Sequence, residues 1–318
     1  MAVSQKQIAE KLGVSIALVS RVLSGKAEEI GIAPETIARV SKAAEEMGYV
    51  PSAAALAMKG KATQTVGVVV YDFKDPFFGA IVEQLQVQAH EHNYSLILTG
   101  FIDRIPQEQD LQPLYKHAID GLIVIGTDLD ARWLNEFRHV PVVRIGHGSD
   151  REKSVRISVD ERAAAALLMN YLQKSGRSRP AYICGDLPAH RLRYDSFRAE
   201  AAAKGMELVL QCSSEHNPFA AGMQAVQQIC RSTQEPDSII CATDQVAMGA
   251  LNCLQEQNRE ISVTGFDDIP SAAHFMPGIT TIRQPLKELA RNAFQFLIQP
   301  ADPHQILLPG ELIVRASG

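Results

Sequence analysis

Eight short, mostly apolar runs spread over residues 66–266 constrain this chain more than any other feature. VGVVVY (66–71), SLILTG (95–100), GLIVIG (121–126) and PVVRIG (141–146) form a first series. AYICG (181–185), ELVLQC (207–212), SIICAT (238–243) and SVTGF (262–266) form a second, which begins near residue 157. Strands without polar alternation must be covered on both faces, as in a parallel sheet layered by helices. Helical stretches stand between them: IVEQLQVQAHEH (81–92), AAAALLMNYLQKSG (163–176) and QVAMGALNCLQEQ (245–257). The expectation is an α/β body of two lobes, each built on a doubly wound parallel sheet. Such sheets hold ligands at the carboxyl ends of their strands, in the cleft between them. At 318 residues and 46% hydrophobic content, the chain is long enough for two or three domains.

The amino terminus reads differently. Within SQKQIAEKLGVSIALVSRVLSG (4–25), Ser4 and Gln7 make an S-x-x-Q capping box, and Ile8, Ala9 and Leu12 recur at helical spacing. Gly13 suits a tight turn, and Ser15 caps a second helix. That helix turns Val19, Val22 and Leu23 inward and leaves Ile16, Ala17, Ser20 and Arg21 for a partner. The pattern fits an all-α helix-turn-helix headpiece, whose second helix enters the DNA major groove; an ordinary helical hairpin is the plainer alternative. Ala33-Pro34-Glu35-Thr36 starts a third helix with Pro34 in its first turn, Ile37, Val40, Ala44 and Met47 face the core, and Gly48 ends it. GYVPSAAALAMKGK (48–61) then offers about two helical turns, capped by Ser52 and stopped by Gly60, too short to be stable alone. The boundaries are 1–49 for the headpiece, 50–62 for a hinge helix and 63–318 for the body.

Charge divides along the same line. Residues 1–63 carry eight Lys or Arg and six Glu, a balance of +2, so the remainder of a chain at −5 holds −7. A mildly basic headpiece on an acidic body suits phosphate contact at one end. Five cysteines, odd in number and without C-x-x-C, point to reduced thiols and a cytoplasmic setting. No signal peptide, membrane span, metal-ligand spacing or phosphate-cradling glycine loop is visible, so neither cofactor nor membrane partner is expected. No nucleophile elbow or paired catalytic carboxylates appear, so the expectation is not an enzyme.

Taken together, VSIALVSRVLSG, GYVPSAAALAMKG, GVVVYDFKDPFF, ATDQVAMGAL, VTGFDDIP, ITTIRQP and ELIVRAS occur in the order found in the lactose-repressor (LacI/GalR) family. The chain resembles that family of transcription regulators over all 318 residues. The resemblance implies a periplasmic-binding-protein-like body crossed three times, with a first lobe of about 63–157 and 285–302 and a second of about 158–284 and 303–318. It implies a homodimer that binds a near-palindromic double-stranded DNA operator as a repressor, controlled by a small-molecule effector. Whether the effector induces or corepresses is left open. A sugar or sugar derivative is favoured over a nucleobase, since arginine and aspartate outnumber stacking aromatics. The chain stops after its last strand without a heptad tail, hence the expectation of dimers rather than tetramers. The alternative is a sugar-binding solute receptor without DNA binding, which would call for an export signal and no headpiece.

In the headpiece, Ile16 and Ala17 suit thymine methyl groups and Arg21 suits guanine O6 and N7. Ser15, Ser20 and the headpiece lysines are expected at phosphates, and Ser4 and Ser24 are further candidates for DNA contact. Leu18 stands where the family usually has threonine. In the hinge, Ser52, Ala55, Leu56, Met58 and Lys59 are expected on the minor groove, where apolar wedges kink the duplex. Met58 takes the place of the usual intercalating leucine, with Leu56 as rival.

For the effector, Phe77 and Phe78 offer an apolar wall, or else a hydrophobic staple. Arg191 and Arg193 start a helix where buried guanidinium groups suit hydroxyls or carboxylates, a solvated charge run being the other reading. By family position Arg191 is the effector arginine. Asp244 and Asp160 lie at strand ends, where capping and ligand contact are compatible. Gln284 matches a cleft position near a lobe crossover. Asn217 replaces the family's stacking aromatic, with Phe219 as substitute, and Gly146-His147 replaces a first-lobe carboxylate. Trp133 is expected to pack on a helix flank.

Overall fold

A computed structural model describes residues 3–51, 56–57, 60–100, 108–126, 132–147, 154–185, 188–231, 235–302 and 304–318. The chain forms two compact units, Met1–Thr63 and Gln64–Gly318.

The first unit contains α1 (Gln5–Leu12), α2 (Ile16–Leu23) and α3 (Pro34–Glu46). The Ser4 side chain accepts from the Gln7 N–H while Gln7 reaches back to the Ser4 N–H, closing the capping box. Gly13 ends α1 at φ 65°, a left-handed conformation that a side chain would penalise, and Ser15 caps α2 by accepting from the Leu18 N–H. Ile8, Ala9, Val19, Val22, Val40 and Ala44 are buried together with Ala27 and Ala43, while Leu18, Leu23, Ile37 and Met47 pack at the margin. Leu56 and Ala57 are helical, and Gly60, at φ 64°, sends its N–H to the Ala57 carbonyl, ending that turn.

The second unit holds two parallel sheets. The first runs in the order β11-β5-β4-β3-β1-β2, where β1 is Thr65–Val70, β2 Ser95–Gly100, β3 Gly121–Ile125, β4 Val142–Ile145, β5 Val155–Val159 and β11 Gln305–Leu308. Every residue of β1 and β3 is buried, as the unbroken apolar runs require. α4 (Pro76–Glu91) covers one face with Ile81, Leu85 and Ala89, and α11 (Leu286–Ile298) joins it with Leu289, Ala293 and Phe294. α5 (Glu108–Lys116) and a 3-10 turn (Arg132–Phe137) bury Leu111, Leu114, Leu134 and Phe137 against Val69, Leu122 and Val124, with Trp133 edge-on to Phe137.

The second sheet runs β7-β6-β8-β9, with β6 Pro180–Cys184, β7 Val209–Cys212, β8 Ser238–Cys241 and β9 Ser262–Thr264. Its helices are α6 (Glu161–Lys174), α7 (Pro188–Ala203), α8 (Pro218–Ile229), α9 (Asp244–Glu256) and the short α10 (Pro270–His274). A separate antiparallel ribbon joins β10 (Thr281–Arg283) to β12 (Glu311–Ile313).

The lobe limits differ from the expectation at one end. Residues 303–308 were placed in the second lobe, but β11 pairs in parallel with β5, Gln305 opposite Arg156 through Leu308 opposite Val159. The third crossing therefore follows Leu308, and the first lobe also keeps β5 to Val159. The physical reason is that β5 would otherwise be an open edge; β11 closes it.

Candidate ligand cavity and nucleic-acid interface

A cavity of about 90 Å³ opens where the carboxyl ends of the two sheets face each other. At about 30 Å³ per water in the liquid, this is room for roughly three waters. The first lobe lines it with Asp75, Phe77 and Phe78 at the start of α4, Gly146 and His147 after β4, Ser158 on β5 and Leu289. The second lobe contributes Glu161, His190, Arg193, Thr243, Asp267 and Gln284.

Arg193 is the centre of this wall. Its Nε and Nη2 donate to the two Glu161 oxygens at 2.9 and 3.0 Å, and Nη1 donates to the Ala242 carbonyl. The guanidinium lies 3.5 Å from the Phe266 ring centroid, and Nη1 is 4.0 Å from Asp267 Oδ1. Burial alone would raise the Glu161 carboxyl, but Arg193 and His147 outweigh it and hold it below its ordinary value, so the pair is ionised. Burial raises Asp267 well above the usual carboxylate range although Arg193 opposes it, and burial likewise raises Asp75, whose carboxylate caps α4 through the Phe77 N–H. Gln284 Nε2 donates to Asp267 Oδ1 at 2.7 Å and fixes that carboxyl.

His190 is buried with Nδ1 accepting from the Gly185 N–H, and desolvation lowers it to about 3, so it faces the cavity neutral. His147 Nε2 lies 3.7 Å from Glu161 Oε1, too far for a hydrogen bond. Ser158, only 3% exposed, has a hydroxyl with no hydrogen-bond partner among the described residues. Three carboxyl groups thus share one guanidinium, and at least one buried hydroxyl is left for a ligand to satisfy.

Phe77, Phe78, Arg193 and Gln284 are brought together here; the two phenylalanines line the cavity and also pack against the hydrophobic cores, so their place suits both the wall and the staple reading. Arg191 is not among them: it lies on the exposed side of α7, because residues two apart on a helix face nearly opposite directions. Asp160 caps α6 through the Ala163 N–H and does not line the cavity, although its neighbour Glu161 does. Asp244 is also behind the wall. Its Oδ2 accepts from the Ile269 N–H at 2.9 Å and its Oδ1 from the Thr281 hydroxyl. Burial pushes it up to about 7, against the pull of those two bonds. Asn217 caps α8 through the Ala220 N–H, and neither it nor the exposed Phe219 reaches the cavity. Glu161, His190 and Asp267 also line the cavity without having been expected there. Asp267 was findable, since it follows strand β9 at its carboxyl end.

On the headpiece, Ile16 (49% exposed), Ala17 and Arg21 stand on the open face of α2. Ser4 and Ser15 spend their side chains on caps, and Ser24 donates to the Arg21 carbonyl. Ser20 is half-buried, as is Leu18, which packs at the margin of the headpiece core. Leu56 is half-buried. Ser52, Ala55, Met58 and Lys59 lie outside the residues whose side chains are described.

Comparison with known proteins gives two family matches: the lacI family of bacterial regulatory proteins over residues 5–52, and a periplasmic binding protein-like domain over residues 169–318. The HTH-type transcriptional repressor CytR of Escherichia coli (strain K12) is 29% identical, covering 99% of this chain and 96% of its own length. The HTH-type transcriptional regulator GalR of the same organism is 30% identical, covering 93% and 89%. A lac repressor dimer bound to operator and the anti-inducer ONPF superimposes with a TM-score of 0.85 over 100% of this chain and 99% of that one, at 23% identity, and so shares the fold.

Proposed function

The chain belongs to the lacI family of bacterial regulatory proteins, and from that premise we propose that it is a transcriptional repressor whose operator affinity is set by a sugar or sugar derivative held between its lobes. It works as a homodimer, each α2 reading one half of a near-palindromic site. One observation carries this reading. The same chain joins a helix-turn-helix, with Ile16, Ala17 and Arg21 uncovered, to a cavity that residues of both lobes line with charged, polar and aromatic side chains.

The cavity's chemistry supports a hydroxyl-rich ligand. Asp75 and Asp267 are acceptors once ionised, Ser158 can donate, and Phe77 and Phe78 offer an apolar face for ring carbons. Arg193 is already matched by Glu161, and burial favours the neutral form of Asp75 and Asp267, so the wall offers a sugar phosphate or sugar acid no free counter-charge. Uncharged sugars are therefore the expected class.

The test has two arms. In the first, the protein is mixed with a pool of randomised palindromic duplexes; retention of a defined sequence, with affinity falling steeply as salt rises, is expected. In the second, neutral pentoses and hexoses are compared with their phosphates and uronic acids by thermal shift, and a neutral sugar that also changes operator affinity is expected. Sugar binding without retention of any duplex would instead identify a solute receptor. Binding confined to phosphorylated or acidic sugars would overturn the charge argument.

A further inference from the structure

Cys184 ends β6 and Cys212 ends β7, and the two are register partners in the parallel ladder. Their sulfurs lie 3.0 Å apart. Neighbouring strands run about 4.8 Å apart, inside the Cα separation that a disulfide spans without moving the backbone. The ladder holds the pair in place, since the Ser213 N–H donates to the Cys184 carbonyl at 3.1 Å. Cys184 is fully buried against Tyr182 and Phe197, whereas Cys212 is half-buried. Immediately after Cys184, the Gly185 N–H bonds His190, and the helix beyond carries Arg193. The pair therefore sits at the root of the second-lobe wall of the cavity.

The geometry points to a modification site: Cys184 and Cys212 form a redox-active dithiol that closes reversibly to an intramolecular disulfide on reaction with a low-molecular-weight disulfide. The Cys212 thiolate, being accessible, attacks one sulfur of the reagent disulfide, forming a mixed disulfide and releasing one thiolate. The Cys184 thiolate then attacks the Cys212 sulfur and expels the second. The protein dithiol is oxidised by two electrons, the reagent is reduced to two thiols, and the two cysteine protons end on those thiols. Cys241 cannot substitute, since it stands opposite Ile183 rather than Cys184 in the ladder.

The experiment uses the full-length protein incubated with glutathione disulfide, followed by thiol titration after denaturation and peptide mapping. Of the five cysteine thiols, two should disappear, linked as Cys184–Cys212, and dithiothreitol should restore them. Cys212→Ser should keep all its remaining thiols through the same treatment, and its half-exposed position makes it the variant expected to fold. The proposal is overturned if no thiol is lost, or if the bridge maps to another pair or joins two chains. It is equally overturned if the reaction stops at a stable Cys212–glutathione adduct. Should Cys212→Ser fail to fold, the map of the unaltered protein decides alone.

Discussion

Two arginines stand two residues apart on α7, and only one is held by the fold. Arg193 is buried with both arms of its guanidinium on Glu161, whereas Arg191 is exposed. Spacing placed both at the helix start but could not choose between them, because the choice depends on how α7 is rotated over β6. Arg193→Ala leaves the Glu161 carboxylate buried without its partner, a change that typically costs about 3–5 kcal/mol. Urea unfolding should show that loss, and the effector response should vanish with it. Arg191→Ala should stay within about 0.5 kcal/mol and keep the response; loss of response in that variant alone would return the effector arginine to position 191. Asp244 makes a pH prediction. Its folded-state value, raised to about 7, means the fold prefers the protonated carboxyl. That contribution is complete below about pH 4 and fades as pH rises through 7. His190, lowered to about 3, has the opposite sign, stabilising above pH 6.5 and losing that contribution on acidification. Asp244→Asn isolates the first effect, because an amide can accept from Ile269 and donate to Thr281 as the neutral acid would. The variant's advantage over the unaltered protein should be near zero at pH 4 and reach a few kcal/mol, to order of magnitude, at pH 8. A gap that is constant with pH would mean the carboxyl is ionised throughout.

At the scale of elements, α8 and α9 cross at two glycines. A Cβ on Gly222 would fall 2.1 Å from the Val246 carbonyl oxygen, and one on Gly249 would fall 1.9 Å from the Phe219 carbonyl oxygen. Both obstacles are backbone, so neither can rotate aside; the helices would have to separate. Gly249→Ala should therefore destabilise by about 1–3 kcal/mol or more, as overpacking does. Gly79, on α4 with nothing within 4 Å of a built Cβ, is the control. There alanine should stabilise by about 0.5–1 kcal/mol, because glycine is a poor helix former in open space. Thermal unfolding of both variants checks the pair of signs. The long apolar runs were legible as β1, β3 and β8 because burial on both faces leaves no alternation to confuse them. β11 was not, since QILL alternates between exposed and half-buried as an edge strand does, and a four-residue pattern carries no record of its distant partner. Likewise α1 and α2 were legible from capping residues adjacent in sequence, whereas the Glu161–Arg193 pair joins two helices across 32 positions.

At the scale of the whole molecule, the cavity belongs to neither lobe. Ser158 stands on β5, the strand before the first crossing, and Glu161 on the first helix of the second lobe, so one crossing of the chain carries cavity residues on both sides. Gln284, at the second crossing, does the same work by fixing Asp267. The rule that ligands sit at strand ends pointed to this cleft and to Phe77, Phe78 and Arg193, whereas Gln284 came from the family resemblance and the strand-end residues Asp160 and Asp244 do not line it. The rule could not supply charge matching, which exists only once residues distant in sequence are packed. A ligand that spans such a cleft binds best to one relative placement of the lobes, and so shifts the population of placements by its differential affinity. If that placement also alters operator affinity, thermodynamic linkage demands reciprocity: the factor by which a sugar changes operator affinity must equal the factor by which operator changes sugar affinity. Couplings of this kind are typically about 1–3 kcal/mol, or roughly 5- to 150-fold. Calorimetry of the sugar with and without saturating operator, set beside operator titrations with and without saturating sugar, gives both factors. Equal factors are expected in the unaltered protein, and both should fall to one in Arg193→Ala at concentrations where it stays folded. Unequal factors would mean that sugar and operator are not acting on one equilibrium, and that the two-lobed site and the headpiece are not coupled as a repressor requires.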